Sequence, residues 1–210
     1  MYSYFRSSCS YRVRIALHHK GIDYEYRPIH LVKDGGEQRK DDYLALNPKG
    51  EVPFLIDGEL KLGQSMAILL YLEDKWSERP LFPKKVAERA QCIQVCEIIN
   101  SGIQPIQNLG VMHEVKKRYD LTDEQKMDWS RFWIQRGLDA LEKVLGPLSG
   151  KFCLGDNLTA ADLFLIPQVY NGKRFGVDLS GLPIISKIND SCLELESFKL
   201  ADPSCQPDSP

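Results

Sequence analysis

A run of β-formers, Met1–Phe5, passes without a linker into Arg6-Ser7-Ser8-Cys9-Ser10-Tyr11-Arg12-Val13-Arg14-Ile15-Ala16-Leu17. Val13, Ala16 and Leu17 fall at helical spacing, so a strand must turn straight into a helix. Hydroxyls and a thiol make up the junction. They are thereby placed at a helix N-terminus, where unpaired backbone N–H groups and the dipole favour negative charge. Two readings follow. Serines are preferred N-caps, and Ser7, Ser8 and Ser10 can simply close the helix. Alternatively the turn holds an anion, and a thiolate is an anion with chemistry of its own.

The segments that follow alternate between strand and helix signals. A helix over Ser10–Lys20 ends at Gly21, and Tyr24–Ile29 reads as a second strand. Lys40–Leu46 reads as helix and stops before Asn47-Pro48, because the residue before proline avoids the α region. Val52–Ile56 and Leu60–Leu62 flank Asp57-Gly58, a hairpin signal, and Ser65 caps an apolar helix reaching about Trp76. This order implies a small mixed sheet with helices on its faces, similar to a thioredoxin-like domain, over residues 1–76.

Polar residues and two prolines mark residues 77–83 as a linker. Residues 84–210 read as an all-helical second domain with an extended tail. Val86, Ala90 and Ile93 begin an apolar stripe, which Gly102 and Pro105 interrupt. Thr122 with Gln125 matches a capping box, behind which Trp129, Phe132, Trp133, Leu138, Leu141 and Leu145 continue the stripe. Thr159 with Asp162 opens a helix over Ala160–Tyr170, and Pro183 starts a last helix carrying Ile184, Ile188 and Leu195. The tail from Asp202 carries three prolines and is expected to be extended.

Composition narrows the function classes. A net charge of −2 gives no electrostatic reason to expect nucleic acid or an anionic membrane. No basic segment followed by an apolar one opens the chain, so no secretory signal is expected, and the longest apolar run, Met66–Leu72, is too short to span a bilayer. Cys92 and Cys96 lie one helical turn apart without histidines at ligand spacing, so no metal site is expected. With Cys153 and Cys192 they read as buried small hydrophobes in a reducing cytoplasm. His18, His19 and His113 have no partner at the spacing of a triad or a metal site.

The string Ser8-Cys9-Ser10-Tyr11-Arg12-Val13-Arg14-Ile15-Ala16-Leu17, opened by Ser7, resembles the N-terminal signature of zeta-class glutathione transferases, with Tyr11 where tryptophan is usual. Asn47-Pro48-Lys49-Gly50-Glu51-Val52-Pro53, Gln64-Ser65-Met66-Ala67-Ile68, Gly102–Leu109, Gly155–Asp162 and the tail Asp202–Asp208 resemble that family in the same order. The likeness covers essentially the whole chain. It implies the glutathione transferase architecture: a thioredoxin-like α/β domain followed by an all-α helical bundle domain. It also implies glutathione as cofactor, a homodimer, and the isomerisation of maleylacetoacetate to fumarylacetoacetate in tyrosine and phenylalanine breakdown. Alternatives within the enzyme class are maleylpyruvate isomerisation, general glutathione transfer and α-halo acid dehalogenation. The rival from another class is a non-catalytic ligand-binding module.

A free thiol has a pKa of about 8.5, and lowering it by about two units requires roughly 2.7 kcal/mol of preferential stabilisation of the anion. The anion can be Cys9 itself or the thiol of a bound peptide. Cys9 has no neighbouring cysteine, the next being Cys92, so a dithiol couple is not expected and an external thiol is favoured. By resemblance, Ser7, Ser8 and Cys9 are the catalytic set. The same likeness assigns glutathione binding to Ser10, Tyr11, Arg12, Gln38, Val52, Pro53, Gln64, Ser65, Gln104, Asn108, Leu109 and Gly110, the last where the family often has a small polar residue. The Val52–Pro53 bond is expected cis, leaving the Val52 backbone to pair with an extended ligand. Gln104 and Asn108 are four apart and can share a helix face. The keto-diacid falls to Arg174, Gln104 and Arg12, with the planar fork of Arg174 suited to a carboxylate.

Overall fold

In the computed structural model, which describes residues 1–210, β1 (Tyr2–Ser3) turns into α1 (Ser8–Lys20) through Tyr4–Ser7. β2 (Arg27–Pro28) lies parallel to β1. A short helix α2 (Asp41–Leu46) leads to the antiparallel pair β3 (Phe54–Asp57) and β4 (Leu60–Gly63), and α3 (Ser65–Lys75) follows. The sheet order is β2-β1-β3-β4, with Tyr2 opposite both Arg27 and Phe54. This is the mixed, thioredoxin-like sheet expected from the element order.

Two strands are shorter than their β-propensity suggests. Beyond Ser3 the backbone of Tyr4 and Phe5 bonds to Ser7, Arg14 and Asp208 instead of to a neighbouring strand. Along the second strand only Arg27 and Pro28 pair, and Pro28, lacking an N–H, lies at an exposed edge. In the hairpin Asp57 pairs with Leu60, so the turn is Gly58-Glu59, one residue later than expected, with Gly58 at φ 59°.

α1 starts at Ser8 rather than Ser10, because Ser7 is its N-cap. Gly21, at φ 68°, ends it in the left-handed conformation that costs glycine least. Val13, Ala16 and Leu17 are buried as their spacing requires, but so are Arg12 and Arg14, since α3 and α9 (Glu196–Ala201) both pack against α1. At the far end of α1, Lys20 Nζ meets Glu73 Oε2 of α3 at 2.9 Å with the lysine side chain wholly buried.

The chain divides into two units, Met1–Leu81 with Leu193–Pro210, and Phe82–Cys192. The last residues, which the sequence reading assigns to the helical domain, therefore return to the first unit. Leu195 caps a separate helix, α9, instead of continuing the one before it. Past Asp202 the tail takes one 3₁₀ turn, Pro203–Cys205, where an extended chain is expected; Asp202 Oδ1 accepts from the Ser204 N–H and closes it.

The second unit holds α4 (Val86–Asn100), a 3₁₀ turn at Gln104–Gln107, α5 (Leu109–Tyr119), α6 (Asp123–Leu145), α7 (Ala160–Arg174) and α8 (Pro183–Leu193). The buried face of α4 is Cys92, Val95, Cys96 and Ile99, while Val86 is 86% exposed, so the stripe is displaced from the expected one. On α6 the core positions are Ile134, Leu138, Leu141 and Leu145, and Phe132 and Trp129 face outward. Gly137 lets Ile103 close on this helix: a Cβ there would come within 2.4 Å of the isoleucine. Both capping boxes form. No helix is long and apolar enough to cross a membrane.

Asp162 is fully buried at the start of α7. Its carboxylate accepts from Cys153 N at 2.8 Å and from Thr159 N and Oγ1 at 2.8 and 3.1 Å. Burial raises its pKa, and these hydrogen bonds oppose the rise. Asp162→Ala removes the acceptor and leaves two buried N–H groups unsatisfied, so it is expected to cost about 2–4 kcal/mol. Urea unfolding measures this, and a loss under about 1 kcal/mol would contradict it.

Candidate active site

The turn between β1 and α1 gathers the hydroxyls. Ser7 has extended backbone, φ −68° and ψ 115°, and its Oγ accepts from Ser10 N at 3.2 Å. Capping uses a lone pair of that oxygen and leaves its O–H free to donate elsewhere. The two readings of the serines are therefore compatible: one residue can both cap and donate. Cys9 is half-buried on the first turn, Ser8 is buried, and Ser10 Oγ is buried without a hydrogen-bond partner. Tyr11 and Arg12 are 1% and 0% exposed. Such burial confines their part to holding neighbouring groups in place.

Val52 and Pro53 are joined by a cis bond, as expected from the resemblance. The Val52 backbone makes no hydrogen bond to the rest of the chain. The carbonyl just before it, of Glu51, accepts from Tyr43 Oη and from Asn47 Nδ2, each at 2.7 Å. Burial pushes the Tyr43 phenol up to about 12, so it remains a donor throughout the neutral range. Val52 and Tyr43 share one apolar cluster with Tyr4 and Phe5, which places the Val52 segment against the β1–α1 turn. Gln38 lies in a 3₁₀ turn, with its Nε2 donating to the Leu31 carbonyl at 3.2 Å and its own carbonyl close against Gly50.

Ser65 is the first residue of α3 and not its cap. The cap position belongs to Gln64, at φ 68° and ψ 118°, a conformation few side-chain-bearing residues adopt and one that marks functional sites. Ser65 Oγ instead accepts from Arg12 Nη1 at 3.0 Å, tying the start of α3 to α1. Gln64 is exposed and its Nε2 reaches Glu51 Oε2 at 3.4 Å, beside Val52. Ser7, Val52, Gln64 and Ser65 thus belong to one connected set within the first unit.

The second unit carries the other expected residues. Gln104 opens the 3₁₀ turn and Asn108 caps α5, its Oδ1 accepting from Gly110 N at 2.9 Å. They do not share an α-helical face, because Pro105 tightens the chain between them. Leu109 and Gly110 are exposed. Arg174 lies in the last turn of α7 and not beyond it. The helix runs past Tyr170 because Gly172 packs against Ile134, Leu138 and Val177. Arg174 Nη1 donates to Asn171 Oδ1 at 3.3 Å, with its guanidinium 5.9 Å from the ring centre of Tyr170.

Sequence reasoning missed the roles of Tyr43, Asn47, Arg14 and Asp208. Asn47 before proline is visible as a turn signal, but its grip on Glu51 joins residues that only the fold brings together. The wholly buried Arg14 donates to the carbonyls of Tyr4, Phe5 and Ala201, and burial lowers its pKa.

The model of the glutathione S-transferase N-terminal domain matches residues 1–74, and that of the glutathione S-transferase C-terminal domain matches residues 134–171. The chain is 50% identical over 210 residues to the maleylacetoacetate isomerase of Dictyostelium discoideum, covering 100% of this chain and 95% of that one. It is similar to the holo structure of a maleylpyruvate isomerase, a bacterial zeta-class glutathione S-transferase, with a TM-score of 0.96 and 38% identity over 100% of this chain and 99% of that one. A maleylacetoacetate isomerase from Anaeromyxobacter dehalogenans with glutathione bound in its active site superposes with a TM-score of 0.89 and 40% identity, covering 100% of this chain and 96% of that one.

The Arg12–Ser65 bond has a measurable energy. Ser65→Ala takes an acceptor from a buried guanidinium and is expected to cost about 1–3 kcal/mol in denaturant unfolding. An unchanged unfolding midpoint would show that the bond carries no stability.

Proposed function

Because the chain belongs to the zeta class of the glutathione transferases, we propose that Ser7 is the hydroxyl with which it performs the glutathione-dependent cis–trans isomerisation of maleylacetoacetate to fumarylacetoacetate. The observation that carries this reading is the Ser7 hydroxyl, which caps α1 through a lone pair and keeps its proton.

The residues present suit a thiol tripeptide. Donors cluster at the first turn of α1, and the Val52 backbone is available as a strand-like edge. Bound there, glutathione would supply the thiolate nucleophile for reversible addition to the conjugated cis double bond.

In this reading the Ser7 O–H donates to the sulfur, and the first-turn N–H groups, with Ser8 and Cys9 lining the turn, add the field of the helix N-terminus. Gln64 and the Ser65 N–H hold the γ-glutamyl carboxylate. Val52, beside Pro53, pairs with the peptide backbone while Tyr43 and Asn47 hold Glu51 in place. Gln38, Gln104, Asn108, Leu109 and Gly110 are assigned the remaining glutathione contacts, with only backbone to offer at Gly110. Tyr11 and Arg12 support the turn and Ser65 from within. Arg174, with Gln104, grips a carboxylate of the keto-diacid. N–H groups near the first turn stabilise the oxyanion that develops on the substrate midway.

The cytoplasm as compartment and a homodimer as assembly belong to the same reading; the buried, free thiols of Cys92, Cys96, Cys153 and Cys192 suit a reducing environment. Purified protein given maleylacetone is expected to isomerise it only with glutathione present. Turnover of maleylpyruvate alone would favour that substrate instead, and binding of glutathione with no turnover of either would make the protein a carrier.

Glycine is a tolerated N-cap, so Ser7→Gly separates capping from chemistry. It is expected to cost only about a few tenths of a kcal/mol in stability. Turnover should fall by about 10²-fold or more, with glutathione still bound in calorimetry. Retained turnover would remove Ser7 from the mechanism. Arg174→Ala is expected to raise KM for the diacid by about tenfold or more, and an unchanged KM would free Arg174 of that role.

A further inference from the structure

The turn that presents Ser7 is fastened from outside at the carbonyls of Tyr4 and Phe5 and at the Phe5 N–H. Within it, Ser7 N–H donates to the Tyr4 carbonyl at 3.0 Å. The carbonyls of Tyr4 and Phe5 also accept from the Arg14 guanidinium, at 3.3 and 3.0 Å. Phe5 N–H donates to Asp208 Oδ2 at 3.0 Å, across 203 positions of chain. Both anchors lead to the same place. Arg14 Nε donates to the Ala201 carbonyl at 3.0 Å, and Asp208 Oδ1 accepts from Tyr26 Oη at 2.5 Å.

The chemistry of this arrangement exceeds what packing requires. Arg14 is 0% exposed, and an apolar side chain would fill that volume without the cost of burying a charge. A rigid planar fork does what an apolar chain cannot: it fixes the directions of successive carbonyls. Asp208 likewise holds one N–H of a turn that the sheet leaves unpaired.

We infer that Asp208 and Arg14 are positioning residues for the reaction, through which the segment Leu193–Pro210 straps the β1–α1 turn and sets where the Ser7 hydroxyl points. The inference rests on the assignment of Ser7 given above. A displacement of about 1 Å in such a group costs on the order of 10²-fold in rate. The strap acts on the thiol's ionisation and on kcat, and leaves the grip on the diacid alone.

The test compares Asp208→Ala with Asp208→Asn in the full-length protein. The amide of asparagine can still accept from Phe5 N–H and donate to the Tyr26 oxygen, so it preserves the geometry without the charge. In the alanine variant, Phe5 amide exchange in the ligand-free protein is expected to speed up by at least about tenfold, because its acceptor is gone. Ultraviolet titration of bound glutathione is expected to show the thiol pKa raised by about one unit, and kcat to fall about tenfold with KM for the diacid within about twofold. Asparagine should restore titration and kcat to within about threefold of the parent. A folded alanine variant with parental titration and kcat overturns the inference, as does an asparagine variant no better than alanine. If the alanine variant does not fold, Tyr26→Phe, which frees one oxygen of Asp208, decides on the same titration: raised supports, unmoved overturns. A parent whose bound thiol ionises like free glutathione would instead remove the Ser7 assignment itself.

Discussion

The first turn of a helix has N–H groups without intrahelical acceptors, and in α1 the residue that answers this need, Ser7, also keeps an O–H to donate. Ser7 can do so because β1 joins α1 directly through Tyr4–Ser7. A longer connection would leave the hydroxyl free to wander; here the cap bond to Ser10 N holds its oxygen. The rest of the first unit is arranged around the same helix. Arg12 ties it to the start of α3, Lys20 ties its other end to Glu73, and α9 covers a further side. Burying α1 so completely makes its N-terminus a fixed point.

Three guanidiniums lie within a few residues of the candidate anion site; that of Arg6 is partly exposed and donates to Tyr4 Oη, and those of Arg12 and Arg14 would ordinarily suggest charge neutralisation. Their burial rules that out as a matter of contact. Arg12 and Arg14 are 0% exposed, and the donors described for them point at a serine oxygen and at backbone carbonyls. Their charge sets the direction of neutral groups. This is a different use of arginine from that of Arg174, which is exposed at the end of α7.

Much of this was legible in the sequence because the deciding signals are local. The cap at Ser7, the stop at Gly21, the turn after Asp57 and the boxes at Thr122 and Thr159 each depend on residues within a few positions of one another. The misreadings at Ser65 and in Leu193–Pro210 come from long-range partnership, whereas those at Phe132 and Trp129 and on either side of Pro105 have causes within one segment. Ser65 has the composition of a cap, yet Arg12 claims its oxygen and Gln64 takes the cap position with positive φ. Phe132 and Trp129 have core chemistry but face outward, because Ile134 and Leu138 already supply the inward face of α6. The return of Leu193–Pro210 to the first unit depends on Asp208 meeting Phe5 and Tyr26, a pairing no window along the chain contains.

On the proposed reading, hydrogen-bond donors hold the thiolate, and the magnitudes allow this. A hydroxyl donating to a charged group contributes about 1.5–3 kcal/mol, and a helix N-terminus about 0.3–1 kcal/mol. Their sum spans the roughly 2.7 kcal/mol that a shift of about two units demands. The source of the stabilisation then decides the character of the site. A cation acts over distance and is weakened by salt, whereas a hydrogen bond acts over a few tenths of an ångström and fails with angle. Ionisation that rests on such donors is comparatively indifferent to ionic strength and acutely sensitive to how the β1–α1 turn is held. The buried polar groups behind that turn are therefore part of the chemistry, even though none of them touches the reacting atoms.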